Sequence, residues 1–557
     1  MKYDIKYFLI SLFAALSLSS CNDFFDMELQ GEYDGNNFYN TTYQLQVGLD
    51  AVYDILQTNN YNNCEWIFGE ACGDDVVGND ESTTNLISEL VNFQFNTSNT
   101  WIRDRYTINY KGINRANQVI SGARRVQLAT QEIEQYTKVR EILGQAKFLR
   151  ALFYFNLVKT FGGVPIRPEQ EDVDALTIPR STKEEVYAYI EKDLREAAIM
   201  LRSKFVSKEA GKAGCGACVA LLMKVLAYQA TPGMESEKWN EITKLGAYFI
   251  EGATLTYGDM LHFENYEESW DELRAGLWFK DKALLASNEP YETPETTMPS
   301  LANEYSLETT DSYGNTLGYA DLYYEKGEFC TRSIFEVVFK ESANGLKDDQ
   351  NEGTEIFNDI FFNRMFASKS FKDEIAGDPR KGVFIQEHGE VAFDGVRIEV
   401  PPGKTACMKW YTPSAETPSD VNDSGKNRRV LIYSEVVLFY AEALNEMGQR
   451  EKSLEQLNSV KRVANKITNV STLYKAGTYI ELRDQIWKER RIELCHLWDR
   501  FFDIVRQGRA AQVLHDFATE TTHNRGKNFI EGVNEIFPIP QNEVDITNGV
   551  VTQNPGY

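Results

Sequence analysis

The sequence predicts a mainly α protein, an irregular stack of helix pairs interrupted by long loop-rich insertions with a few short strands. Three observations predict it. Apolar residues recur at three- and four-residue steps in several long segments. Those segments come in pairs split by short glycine turns, and the stretches between pairs lose the helical period.

The clearest stripe is in "REILGQAKFLRALFYFNLVKTFGGVPI", where Ile142, Ala146, Leu149, Phe153 and Leu157 fall on one face. Gly162-Gly163 stops that helix, and Pro165 prevents its resumption. Its partner precedes it, with Ile102, Tyr106, Ile113 and Ala116 on one side. A second pair is "VALLMKVLAYQA" and "KWNEITKLGAYFIEG", turning at Pro232-Gly233. A third is "YSEVVLFYAEALNEMG" and "SLEQLNSVKRVAN", breaking at Met447-Gly448. A small-residue first helix, a glycine turn and an amphipathic second helix follow the logic of tetratricopeptide repeats, here degenerate and unevenly spaced. The repeats are expected over about 100–253 and 427–510.

Three insertions have another texture, at about 59–100, 260–330 and 377–426. Asn, Gly and acidic residues crowd the first, tyrosines the second, and "DPRKG", "VPPGK" and "MKWYTPSAETPSD" mark the third. Long irregular segments in compact proteins tend to be functional or disordered. Only short strands are expected there, such as Ser333 to Phe339.

The amino terminus reads as a leader. Lys2 and Lys6 precede an apolar run from Tyr7 to Leu18, too short to span a bilayer comfortably. The sequence Leu18-Ser19-Ser20-Cys21 resembles the bacterial lipobox, in which the cysteine becomes the acylated first residue of the mature chain. That sets a signal peptide at 1–20, a tether at 21–35 and the folded domain at 36–557. No later apolar run is long enough for a transmembrane helix, so the polypeptide behind the anchor is expected to be soluble.

At 557 residues the chain can bury a large core. Its formal charge of −25 argues against nucleic acid and other polyanions over a wide face. Seven cysteines remain beyond Cys21, an odd number at irregular spacing, which is not a disulfide framework. Cys215-x-x-Cys218 lacks a second ligand pair and reads as a helix start whose small residues admit a neighbour. His496, His515 and His523 show no metal spacing. Asp74, Asp75, Asn79 and Asp80 lack the ligand periodicity of an EF-hand, so no metal and no cofactor is expected. No nucleophile elbow, zinc helix or phosphate loop appears, and no local motif marks a glycosidase carboxylate pair. No catalytic residue is assigned; binding is the reading.

The C-terminal third carries a resemblance. "RRVLIYSEVVLFYAEALNEMG", "LRDQIWKERRIELCHLWDRFFDIVRQGRA" and the terminal "FPIPQNEVDITNGVVTQNPGY" resemble three ordered motifs of the SusD/RagB family. Upstream, "YADLYYEKGEFCTRSIFEVVFK" and "DPRKG" match that family's middle. The resemblance implies a Bacteroidetes outer-membrane lipoprotein, acylated at Cys21 and facing outward, that captures glycans for a SusC-like TonB-dependent transporter. "CNDFFD" is similar to the family's surface-export signal, though it departs from the usual serine- or lysine-led form. The signature helix departs too, with Cys495-His496-Leu497-Trp498 where the family often has Glu-Gly. Its charges, from Glu489 to Arg506, invite an active-site reading; the preferred one is an ion-paired helix joining subregions.

Glycan capture needs aromatic faces to stack on sugar rings, with polar groups for the hydroxyls. The insertions offer Trp66, Asp74, Asp75, Asn79, Asp80 and Asn96, then Trp270, Trp278, Tyr291, Tyr305, Tyr313 and Tyr319. Each aromatic has a packing role as its alternative, as Trp101, Trp239, Trp487 and Trp498 do more plainly. Capture of peptides or glycopeptides, and a repeat scaffold without a ligand site, are the rival readings.

Overall fold

The computed structural model describes residues 39–78, 85–129, 133–169, 178–233, 236–262, 297–311, 314–341, 365–418, 423–521 and 525–557. The principal helices are α1 (Thr42–Gln57), α2 (Asn59–Trp66), α3 (Thr100–Ala129), α4 (Ile133–Phe161), α5 (Lys183–Met200), α6 (Cys215–Ala227) and α7 (Glu237–Glu251). After the insertions come α8 (Tyr433–Glu446), α9 (Arg450–Asn465), α10 (Tyr479–Leu494) and α11 (Arg500–Arg506). Capping boxes start several of them, at Thr41 with Gln44, Thr182 with Glu185 and Thr478 with Glu481.

Each helix from α3 to α7 packs on the next, and α1 lies across α3 and α4. The stack then continues across the break in sequence, because α8 packs on α6 and α7 as well as on α9 and α10. The solenoid is therefore one body with a long excursion between α7 and α8. The expected stripes are its core: Ile142, Ala146, Leu149, Phe153 and Leu157 are buried, as are Ile102, Tyr106, Ile113 and Ala116. Gly162, Gly233 and Gly448 take positive φ at the three expected turns, where a side chain would be strained.

The excursion is pinned by two small antiparallel sheets. Strands β2 (Ser333–Val337) and β6 (Arg428–Ile432) pair, and β6 runs straight into α8. The other sheet has the order β1 (Val76–Val77), β3 (Phe366–Ala367), β5 (Thr405–Cys407), β4 (Ile385–Glu387). It brings the first insertion onto the third. The first insertion is also more helical than its composition suggests. It holds α2, a π-helical turn at Ile67–Ala71 and a short helix at Leu86–Val91.

Cys215 and Cys218 open α6 fully buried, and the small residue between them does admit a neighbour. A Cβ on Gly216 would lie 2.5 Å from the Tyr305 ring. Among the described residues no cluster of His, Cys, Asp and Glu is arranged to hold a metal ion.

Candidate ligand-binding face

The signature helix α10 is a buried hub of charge. Glu489, Arg490 and Glu493 are almost wholly inaccessible, and each is paired with a charged group from elsewhere in the chain. Arg380, from D-P-R-K-G, places Nη1 2.7 Å from Glu489 Oε1 and 2.8 Å from Glu493 Oε2, and Nε 2.8 Å from Asp378 Oδ1. Lys461 of α9 closes on the same Asp378. Arg332 of the middle motif binds the other oxygen of Glu493 and lies 4.4 Å from the Tyr319 ring centre. Burial alone would raise the Glu493 carboxyl, but Arg332, Arg380 and Lys409 outweigh it and hold the group at about 2. Arg490 pairs with Asp503, and Arg506 with both Asp503 and Glu442. The signature is thus the expected ion-paired joint between subregions.

The same joint takes up several residues expected to meet a ligand. Arg491 Nη2 lies 2.8 Å from Asp74 Oδ2, and its Nε 2.8 Å from Asp75 Oδ1. Arg500 Nε is 2.7 Å from Asp74 Oδ1. Both aspartates are buried. Burial raises Asp74, yet the two guanidiniums hold it at about 2. Tyr319 is half-buried and its hydroxyl donates to Glu493. Trp66, at the end of α2, is buried, and its Nε1 donates to Asn63 Oδ1 at 3.0 Å. Tyr305 is buried between Gly216, Phe249 and Tyr433. Trp66, Asp74, Asp75 and Tyr305 therefore do not offer their side chains to solvent. Irregular composition did not mean exposure, because partners far away in sequence fold over Asp74, Asp75 and Tyr305. Asn96 is exposed, its Oδ1 accepting from Ser98 N at 2.8 Å in a local turn. Cys21, Asn79, Asp80, Trp270, Trp278, Tyr291 and Tyr313 lie outside the described residues.

An exposed aromatic face occurs instead in the third insertion, at Phe393. After β4 the chain forms a hairpin, with Ile398 N donating to Glu390 O at 2.7 Å and Ala392 N to Val396 O at 2.8 Å. Asp394-Gly395 makes the turn, with Gly395 at φ +83°. The register puts Ala392, Val396 and Ile398 on one face, with Ala392 and Ile398 buried against the body, and Val391, Phe393 and Arg397 on the other. Val391 and Phe393 face out, 56% and 57% exposed, with the exposed Arg397 paired opposite Val391. Tyr324 lies behind the Phe393 ring at 5.1 Å and 30°, and Tyr411 meets it edge-on at 6.2 Å. Asp394 Oδ2 ties the turn down, accepting from the Tyr411 hydroxyl and Ser414 N, both at 2.8 Å. Below, Lys426 Nζ donates to the carbonyls of Lys409 and Tyr411 at 2.9 Å. The alternation in "VAFDGVRIE", with Asp-Gly at its centre, is the signal that would have pointed to this hairpin.

Comparison with known proteins agrees with this architecture. A family model described as "SusD family" matches residues 399–557. A SusD-like model described as "Starch-binding associating with outer membrane" matches residues 23–226. The chain is 23% identical to SusD-like protein P2 of Formosa agariphila, over 99% of this chain and 100% of that protein. Among solved structures it resembles a laminarin binding SusD-like protein, with TM-score 0.67 and 23% identity over 93% of this chain and 100% of that one. Surface glycan-binding protein A from Bacteroides thetaiotaomicron, in complex with laminarihexaose, superposes with TM-score 0.67 at 18% identity over 92% and 99%. Two SusD-type models match in order at opposite ends of one chain whose whole length aligns with SusD-like relatives, and the chain belongs to the SusD family.

Proposed function

We propose that this protein captures oligo- or polysaccharide at the cell surface and hands it, chemically unchanged, to a SusC-like TonB-dependent outer-membrane transporter. The observation that carries the reading is membership of the SusD family along essentially the whole chain, with relatives whose names record glycan or laminarin binding. The architecture suits the task. A rigid, ion-paired helical body carries irregular segments on its excursion, and binding residues on loops held by a rigid scaffold are the common arrangement. Cys21 is the proposed acylation site, with residues 21–35 as the tether. Two or more acyl chains would anchor the protein stably where one would not. Among the described residues no helix is long and apolar enough to cross a membrane.

Affinity electrophoresis of the part after Cys21, in gels with plant, fungal, bacterial or host polysaccharides, tests the reading. Retardation by at least one glycan, without release of reducing ends, is the expected result. Binding of peptides with no retardation by any glycan would replace it with peptide capture. Cys21→Ser is expected to release the full-length protein from membranes with its ligand binding intact. Continued anchoring would remove the lipobox assignment.

A further inference from the structure

Lys426, at the end of the third insertion, is a buried amine without a carboxylate of its own. Its Nζ donates to the carbonyls of Lys409 and Tyr411, each at 2.9 Å, and the Tyr324 ring centre is 5.2 Å away. Among the described residues no carboxylate closes on it to ion-pair distance, although Glu416, Glu325 and Glu328 act on its charge from farther off. Across the same seam Glu328 is short of a cation. Its Oε1 accepts from Asn427 N at 2.8 Å, and Arg429 beside it stands 4.0 Å away and is shared with Glu336 at 3.5 Å. The other amines are taken: Lys326 pairs with Asp321, and Lys409 Nζ donates to the Glu493 carbonyl. Glu416 closes the seam from the third insertion, accepting from Glu325 N and Lys326 N at 3.0 and 3.1 Å. Four carboxylates, Glu325, Glu328, Glu336 and Glu416, thus share this clasp with two cations, Lys426 and Arg429.

A buried charge without a partner is costly, and losing or keeping a proton is the way to avoid it. Lys426 can give up its proton and keep both bonds, because a neutral amine still has two N–H donors for its two carbonyls. Burial and then Arg429 hold it down at about 7, against the pull of the three glutamates. Glu328 can keep its proton and still accept from Asn427 N. Burial pushes it up to about 8, with Glu336 and Glu325 adding and Arg429 opposing. Burial raises Glu325 as well, with Glu416 and Glu341 adding. What the clasp holds is the turn at Met408–Trp410, and through the Tyr411 hydroxyl the Asp394 turn of the exposed hairpin.

We propose that this clasp is a proton-exchanging latch between the second and third insertions, in which Glu328 and Lys426 act in opposition and set how firmly the Met408–Tyr411 turn is held as the external pH changes. The inference stands apart from the glycan-capture reading, since it concerns the tie between two insertions and not what they bind.

The test reads hydrogen–deuterium exchange in the full-length protein between pH 6 and pH 8, corrected for the intrinsic rate, in peptides covering Met408–Glu416 and Tyr324–Cys330. Between about 7 and the ordinary lysine range the closed clasp holds fewer protons on Lys426 than an open one, so Lys426 tightens it as pH rises. Between the ordinary carboxylate range and about 8 it holds more on Glu328, so Glu328 loosens it as pH rises. The Glu328 effect spans more of this interval, and wild type should open severalfold more often at pH 8 than at pH 6. Glu328→Gln keeps an acceptor for Asn427 N and removes the loosening arm. It should reverse the trend, to about tenfold tighter at pH 8 than at pH 6. Lys426→Met removes the tightening arm and should loosen with pH more steeply than wild type. If Lys426→Met does not fold, the reversal in Glu328→Gln still decides. Either variant keeping the wild-type pH dependence overturns the latch, as does protection that is independent of pH in wild type.

Discussion

Trp498 offers a sharp test of how this fold is held. Its backbone sits at φ +67°, in the left-handed region, which glycine adopts most easily. Its amide N donates to Glu70 Oε2, and its carbonyl lies where a Cβ on Gly69 would be only 1.7 Å away. Its ring is buried, stacked on Trp410 at 4.5 Å and 16°, with the Arg428 guanidinium 5.0 Å from the ring centre. Two effects therefore oppose each other. Removing the ring costs about 3–5 kcal/mol for a large buried aromatic, plus roughly 0.5–1.5 kcal/mol for the stacked pair. The left-handed backbone costs a non-glycine residue about 1–2 kcal/mol, which glycine recovers, less roughly 0.4–1 kcal/mol for its freer unfolded chain. Packing wins. Trp498→Gly should be about 3–5 kcal/mol less stable than wild type, and Trp498→Ala about 1 kcal/mol worse still, since alanine keeps the strain and loses the ring. Urea unfolding followed by circular dichroism measures both, read as midpoints at a common slope. If Trp498→Ala equals or exceeds Trp498→Gly in stability, the backbone at this position is not strained. A glycine variant as stable as wild type would show that the stacked ring contributes nothing.

Three further outcomes follow from the same joint. Arg380→Met strips a fully buried guanidinium from Asp378, Glu489 and Glu493, and should lower stability by about 3–5 kcal/mol. Adding Glu489→Gln should then recover part of that loss in a thermal-unfolding cycle; strict additivity would mean the two groups do not interact. Gly69→Ala puts its Cβ into the Trp498 carbonyl and should leave little folded protein, seen as loss of soluble yield. Acid should unfold the protein steeply. Glu493, Asp74 and Asp499 are each held at about 2, burial being outweighed by neighbouring cations, so their stabilisation is complete above their ordinary range near 4–4.5. It is lost as pH falls from there to about 2, at roughly 2–3 kcal/mol per group. Glu493→Gln should flatten that slope, and an unchanged slope would refute the assignment.

The helical body was legible in the sequence, and the face it carries was much less so. Periodicity is a local signal, and it located the stripe from Ile142 to Leu157, the glycine turns and the start of α6 at Cys215. Burial of a polar residue is not local. Asp74 and Asp75 read as exposed acids in an Asn- and Gly-rich stretch, yet their partners Arg491 and Arg500 stand more than 400 positions away. Tyr305 reads as one of several loop tyrosines, and it is buried because Gly216 leaves room for its ring. Phe393 was missed for the opposite reason: a lone phenylalanine in a short alternating run looks like core until the turn shows which face is out.

Two of the family-like motifs now have a common physical role. D-P-R-K-G supplies Arg380 and Asp378, the middle motif supplies Arg332, and both converge on Glu489 and Glu493 of the signature helix. The first insertion reaches the same helix through Asp74 and Asp75. The first and third insertions are thus bolted to one helix of the solenoid by buried ion pairs, and the second reaches it through the Tyr319 hydroxyl on Glu493 beside Arg332; the geometry is exacting because an unpaired buried charge is so costly. Such a joint fixes where the insertions leave the body and leaves their outer residues free to vary. Outer residues of the Glu390–Ile398 hairpin such as Val391 and Phe393 can then change without disturbing the joint, because the hairpin meets the body through its opposite face at the buried Ala392 and Ile398.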